Sequence, residues 1–191
     1  SGTITDPGVN DTHAATWTFR TVGAPDEVFL AEVNGLTISD QFQFPAPGVY
    51  FITLTVADKD GGTGTATVVD GEPAYIVVYD PNGGSVTGGG WLDSQAGALA
   101  LDPAATGKAI FGFNAKYPGN KTTVPQGSLE FDFQTAGLNF KSTALEWLVV
   151  RGSRAQFKGS GIINRKGDFQ FILTVNVGSV PGAQGSDQLR L

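Results

Sequence analysis

Acidic and amide side chains are concentrated in two glycine-containing segments of the first third of the chain. DPGVND covers residues 6–11, and DKDGG covers residues 58–62. Carboxylate and amide oxygens are the ligands that Ca²⁺ prefers in proteins, so two such loops could share one calcium ion. Such a site would draw its ligands from Asp6, Asn10, Asp11, Asp58 and Asp60.

The second of these segments does not form an EF-hand. Counting Asp58 as the first position, the twelfth residue is Val69, where an EF-hand loop requires a bidentate glutamate. Asp, Asn and Gly are also the residues that tight turns use, because they tolerate the turn backbone and hydrogen-bond to it. The sequence therefore leaves two interpretations open, a shared calcium site and ordinary turns.

Few other residues have types and spacings that suit catalysis. His13 is the single histidine and cysteine is absent, so we interpret His13 as an exposed residue at the start of a strand. Glu130 and Asp132 would share one face of a strand, and Glu146 interrupts an apolar run where we expect a lysine or arginine partner. No serine lies in a G-x-S-x-G motif. We assign no catalytic residue and predict that the chain is not an enzyme.

Aromatic side chains offer a different kind of site. Trp91, Trp147 and Tyr117, together with Tyr79, could form a platform on which sugar rings stack. In a β-rich protein such residues also fill the core, and the sequence does not decide which side they face. Carbohydrate binding is therefore the alternative function that the aromatic residues support.

Strand-type patterns run through the whole chain of 191 residues. FQFILTVNV (169–177) alternates apolar and polar residues, and ATWTF (15–19) puts Trp17 and Phe19 on one face. Charged residues make up only 16% of the chain and there are 27 glycines, as expected for short strands joined by tight turns. No apolar run approaches the ~20 residues of a membrane-spanning helix. The prediction is an all-β fold made of antiparallel sandwiches.

Charge divides the chain into two parts. Residues 1–80 hold eleven acidic and two basic residues, whereas residues 81–191 hold seven acidic and ten basic ones. A glycine and a proline interrupt the strand pattern at DGEPAY, residues 70–75. We therefore predict two consecutive domains, 1–71 and 72–191. An acidic first half and a dispersed basic excess in the second argue against nucleic acid as a partner.

The first domain resembles the PKD domain, an immunoglobulin-like sandwich of bacterial secreted and surface proteins. The resemblance rests on ITDPGVNDTHAATWTF (4–19) and GVYFITLTVADKDGGTGTATV (48–68). It implies that the two acidic loops lie at the ends of neighbouring strands, close enough to share an ion. RTVGAPDE stands where most members carry a G-D-G turn, and the chain starts almost at the DPG turn. The resemblance thus implies an immunoglobulin-like sandwich that lacks its first strand.

The second domain resembles the post-COAP-1 domain that follows PKD repeats in some bacterial exported proteins. AYIVVYDPNGGSVTGGGW (74–91), GKAIFGFNAKY (107–117) and LNFKSTALEWLVV (138–150) carry this resemblance. It implies an extracellular β-sandwich with no established chemistry. Leu191 would then stop within the last expected strand, so both termini would leave strands incomplete.

These features together predict a non-catalytic protein of the cell surface or the extracellular space. We expect it to act through protein–protein contacts, as an adhesive or self-assembling, filament-type subunit in which a partner's strand completes the sandwich. Two alternatives remain open, a carbohydrate-binding accessory module of a larger secreted enzyme and a fragment cut from a longer protein. The chain contains no methionine, which fits a processed product or a fragment.

Overall fold

The fold consists of antiparallel β-sheets, as the sequence predicts. The computed structural model describes residues 1–8, 11–119, 122–176 and, for the backbone, 188–190. Backbone contacts divide the chain into two compact units, Ser1–Val78 and Tyr79–Leu191. One short 3₁₀ turn, Gln134–Ala136, lies between two strands of the second unit. Among the residues described, no helix has the length and apolar character to cross a membrane.

The described residues of the first unit form ten strands, most of them short. In chain order they are β1 (Gly2–Thr3), β2 (His13–Arg20), β3 (Glu27–Leu30), β4 (Val33–Asn34), β5 (Thr37–Ile38), β6 (Gly48–Asp58), β7 (Thr63–Ala66), β8 (Val68–Val69), β9 (Glu72–Pro73) and β10 (Tyr75–Val78). One sheet has the order β1-β5-β4, and the other has the order β10-β6-β2-β3, with β7 also paired to β6. The long strand β6 is therefore the centre of the main sheet.

The end of the first unit differs from the predicted boundary between residues 71 and 72. β10 pairs with the first half of β6, with Tyr75 opposite Phe51 and Val78 opposite Gly48. β7 pairs with the second half of β6, and the small hairpin of β8 and β9 lies between them in the chain. Because β10 completes this sheet, the first unit extends through Val78.

Apolar side chains from both sheets form the core of the first unit. Trp17 and Phe19 of β2 point inward together, because alternate residues of a strand share a face. They meet Ile38 of the small sheet, and Phe42 and Phe44 of the following loop complete the cluster. The indole Nε1 of Trp17 donates a hydrogen bond of 2.6 Å to Asp40, which satisfies its one polar group.

In the described part of the second unit, seven strands form one sheet and follow each other in chain order. They are β11 (Ser85–Ser94), β12 (Gly107–Lys116), β13 (Gln126–Phe133), β14 (Leu138–Arg151), β15 (Arg154–Ile163), β16 (Lys166–Asn176) and β17 (Gln188–Arg190). Register shifts in the β14–β15 ladder, between Ser142 and Ala144 and between Leu145 and Trp147, mark bulges. Bulges bend a strand and increase its twist, so they help this sheet to curve.

This sheet curls around its own core. β12 and β15 are three positions apart, so in a flat sheet they would be separated by about 14 Å. Yet the ring centroids of Phe113 on β12 and Phe157 on β15 are 6.0 Å apart. Phe171 on β16 closes the cluster from the next strand, 5.9 Å from Phe157. One face of the sheet thus encloses the core while the other remains outside.

Phe157 lies at the centre of this core, with no exposed surface. We expect Phe157→Ala to lower the free energy of unfolding of the second unit by about 3–5 kcal/mol, since it deletes a ring and leaves a cavity. Phe169→Ala is the matched control, because Phe169 on the neighbouring strand is 45% exposed and should lose much less. Equal losses in denaturant titrations of the two variants would contradict the arrangement of the core.

Candidate functional site

The structure brings the two acidic loops together at one end of the first unit. β2 begins at His13 directly opposite Asp58, the last residue of β6. One residue further on, the backbone N–H of Lys59 donates a hydrogen bond of 3.1 Å to the carbonyl of Thr12. The loop before β2 and the loop after β6 are therefore neighbours, as the resemblance to the PKD domain implies.

Asp6 and His13 form a pair within the first loop. The Asp6 carboxylate accepts hydrogen bonds from His13 Nε2 at 2.7 Å and from the Gly8 backbone N–H at 2.8 Å. The His13 side chain is only 4% exposed, so the prediction of an exposed histidine is wrong. The Gly8 bond first, and the His13 bond second, hold the pKa of Asp6 below its ordinary value of 3.8. The pair ties the DPG turn to the start of β2.

Lys59 connects the two loops. Its Nζ lies 2.6 Å from the Asp11 carboxylate of the first loop and 2.9 Å from the Asp60 carboxylate of the second. These hydrogen bonds raise the pKa of Lys59 above its ordinary value of 10.5, the bond to Asp11 contributing most. The Lys59 ammonium group thus lies between the loops, where a shared metal ion would bind.

Asp58 serves its own turn. Its carboxylate accepts a hydrogen bond from the backbone N–H of Asp60, and its backbone N–H donates to the Gly62 carbonyl at 2.9 Å. These are the bonds by which Asp stabilises tight turns. The turn interpretation of DKDGG therefore has direct support from geometry.

The proposed calcium ligands meet only in part. Asn10 lies outside the described residues. Among those described, no group of three or more His, Cys, Asp or Glu side chains has the arrangement of a metal site. Asp6 bonds to His13 and Asp11 to Lys59, so an ion would have to replace these partners. The calcium site stays a prediction.

The three predicted stacking residues have different surroundings. Trp147 is 9% exposed and Tyr117 is 8% exposed, so both belong to the interior of the second unit. The Tyr117 hydroxyl donates to the Leu148 carbonyl and accepts from the Leu148 N–H, each at 3.1 Å. Trp91 is 59% exposed on β11. The predicted common platform therefore differs from the structure, because Trp91 alone of the three offers a ring to solvent.

Two of the three carboxylates that could have suggested hydrolysis are paired with lysines, whereas Asp132 lies opposite Ile110 and Asn139 in its two ladders. Glu130 lies 2.9 Å from Lys141 on the adjacent strand. Glu146 lies 3.1 Å from Lys158, which agrees with the cationic partner expected from the sequence. Cross-strand pairs of opposite charge are an ordinary stabilising feature of sheets.

Sequence reasoning overlooked two residues that the structure makes prominent. Lys59 lies inside the DKDGG segment, and its alternation of charge with Asp58 and Asp60 was the available signal. Phe29 on β3 packs against Phe19 and Phe42 at 5.9 and 5.2 Å yet remains 40% exposed. Its apolar neighbours in EVFL, residues 27–30, indicated a strand but not that this strand would end its sheet among the residues described.

Comparisons with family models, with curated proteins and with solved structures find nothing that matches this chain. The resemblances to the PKD and post-COAP-1 domains therefore stay predictions, as does the immunoglobulin-like character of the first unit.

The Asp6–His13 pair predicts an acid-sensitive contribution to stability. Because the pKa of Asp6 is lowered in the folded state, its contribution is complete above the ordinary value of 3.8 and disappears as the pH falls through the lowered pKa. We expect Asp6→Asn to shift the denaturation midpoint of the first unit downward at pH 7, and to have no effect at a pH well below 3.8. Exposed Asp26 supplies the control Asp26→Asn, and an equal shift at pH 7 would contradict this role.

The calcium prediction can be tested through Lys59. A cation shared by the loops must displace the Lys59 ammonium from Asp11, so Lys59→Met should increase any rise in melting temperature on adding calcium. Thermal melts of both proteins with calcium and with chelator make the comparison. If neither protein responds to calcium, the two loops do not form a calcium site.

Proposed function

We propose that this chain is a non-catalytic protein of the cell surface or extracellular space that assembles with copies of itself by strand addition. In this proposal a strand of one copy pairs with β3 of another and covers the apolar side chains there. The observation that carries the proposal is the edge at β3, where Val28, Phe29 and Leu30 are exposed and no described strand pairs with the outer side.

β3 ends the main sheet of the first unit. It pairs with β2 on one side, and no described strand pairs with it on the other. Ala31, just after β3, donates its N–H to the Ala15 carbonyl of β2. Backbone N–H and C=O groups of successive strand residues point to opposite sides, so those of Val28 and Leu30 point away from β2. Such a row of unpaired N–H and C=O groups is a template for a further strand.

The side chains of β3 favour a protein partner over solvent. Val28 and Leu30 lie on the outer face, and Leu30 is 85% exposed. Phe29 points to the opposite face, where it contacts the core phenylalanines but remains partly uncovered. Burying each such side chain contributes about 1.5–3 kcal/mol. A strand beside β3 would therefore gain both ladder hydrogen bonds and apolar burial.

The opposite edge of the same sheet is less suited to pairing. β7 and β10 both lie along β6 on that side, and the hairpin of β8 and β9 comes between them. The Ala74 N–H bonds back to the Thr67 carbonyl at 2.8 Å, which closes the base of this hairpin. An interrupted edge discourages strand pairing. The difference between the two edges favours addition at β3.

The non-catalytic part of the proposal draws support from the titratable groups. The single histidine bonds to Asp6 inside the first loop, and Glu130 and Glu146 each pair with lysine. The surface or extracellular location rests on the family resemblances.

Charge placed on β3 should abolish the assembly. We expect the native protein to form larger species as concentration rises, measured by light scattering and seen as filaments by electron microscopy. Leu30→Lys should remain monomeric, because a lysine on an edge strand disfavours pairing.

Leu101→Lys is the matched control for this test, since Leu101 is also 85% exposed but lies outside the strands. It should assemble like the native protein. A native protein that stays monomeric at high concentration, or equal behaviour of the two lysine variants, would contradict the proposal.

A further inference from the structure

We propose that the second unit binds a neutral saccharide chain on the outer face of β11, β12 and β13. This inference goes beyond the proposed assembly, because it concerns the other unit and another class of ligand. We name the site the saccharide trough. Its residues are Gly89, Trp91, Ile110, Gly112, Asn114 and Ser128.

Alternation along the strands places the trough on the outer face of the sheet. Phe113 and Ala115 of β12 are buried in the core, so the residues between and beside them point the other way. The strand ladder sets Trp91 opposite Ile110, Gly89 opposite Gly112, and Asn114 opposite Ser128. Two glycines therefore separate an apolar wall from a polar wall.

Gly89 and Gly112 form the floor of the trough, and the fold does not require a glycine at Gly112. A methyl group there would meet nothing within 4 Å, and Gly112 is not among the residues with positive φ. Both of its ladders run without a register shift, so no bulge requires it. By contrast, a methyl group at Gly88 would lie 2.6 Å from the Phe113 ring. A glycine in a strand interior that has no bulge or packing role often marks the close approach of a ligand or of another backbone.

Trp91 provides the face for a sugar ring. Its side chain is 59% exposed, and Lys108 Nζ lies 4.4 Å from the centre of the indole. This cation–π contact occupies one face and steadies the ring. The C–H groups on one face of a pyranose carry slight positive charge and pack on the negative face of an indole. Ile110, also exposed, extends the apolar wall beside it.

The opposite wall supplies hydrogen-bonding groups. Asn114 Nδ2 donates a hydrogen bond of 3.1 Å to the Ser128 hydroxyl, which fixes both side chains above the sheet. This bond uses one of the two amide N–H donors and leaves the amide oxygen and the serine proton for a ligand. Closely spaced donors and acceptors of this kind match the hydroxyl groups of a sugar.

Charges around the trough favour a neutral ligand. Glu130 and Lys141 neutralise each other at 2.9 Å on the strands beyond the floor. On the apolar side, Lys108 stands opposite Asp93 in one ladder, and Asp132 stands opposite Ile110 in the other. A strongly charged ligand of either sign would meet a like charge close by, whereas a neutral saccharide would not.

A polypeptide strand is the competing occupant, because β11 is the first strand of its sheet and no described strand pairs with its other side. Strand addition uses backbone groups along that edge. It would not use the floor at Gly112, which lies on the second strand with β13 beyond it. The open floor and the exposed indole therefore favour the saccharide.

Isothermal titration calorimetry with cello-, chito-, xylo- and mannohexaose tests the proposal on the whole chain. We expect at least one hexasaccharide to bind, and Trp91→Ala to weaken that binding about tenfold or more. Gly112→Val fills the floor without touching the core, so it should prevent binding while the melting temperature stays level or rises. Gly64→Val on β7, also in open space, should leave binding unchanged.

Several results would overturn the trough. Absence of binding by all four hexasaccharides is one, and native-like affinity in Trp91→Ala or Gly112→Val is another. Loss of binding in Gly64→Val as well would show that the floor has no specific role. Assembly at β3 is read from Leu30→Lys by light scattering, so failure of one proposal leaves the other untouched.

Discussion

The alternation of side chains along paired strands is the constraint on which the rest of this structure depends. In the first unit it sends Trp17 and Phe19 into the core while the threonines between and beside them face outward. In the second unit it directs the side chains of Phe113 and Phe157 into the core that the curled sheet encloses. A shift of one residue would exchange the two faces, so core formation fixes the register of every long ladder. The same register determines which side chains are exposed on β3 and on the outer face of β11, β12 and β13.

The two units differ in the apolar side chains that remain exposed after the core has formed. The first unit leaves Phe29 and Leu30 exposed on β3, and no described strand pairs with the outer side of β3. The second unit buries Phe113, Phe157 and Phe171 by curling, and its outer face displays Trp91 beside two glycines. An unpaired backbone edge suits a strand, whereas a bare, flat floor beside an indole suits a ring. The two proposed partners differ because these surfaces differ.

The acidic loops show how a lysine changes the meaning of an acidic cluster. Without Lys59, the carboxylates of Asp11 and Asp60 would face each other as like charges and favour a bound cation. With Lys59 between them, the loops are joined by ion pairs that form as the chain folds. The Asp6–His13 pair performs a similar task within the first loop. Both features stabilise the end of the sheet at which β2 begins and β6 ends.

The resemblance to the PKD domain implied the proximity of the two acidic loops. The sequence by itself determined the all-β class and the common face of Trp17 and Phe19 on β2, because both follow from strand periodicity. It also indicated a lysine or arginine partner for Glu146. It could not decide that Trp147 is buried and Trp91 exposed, that His13 is enclosed, or that the first unit continues through Val78. Those outcomes depend on which strands become neighbours and how far a sheet curls. Both are set by long-range pairing and core closure, for which local spacing carries no signal.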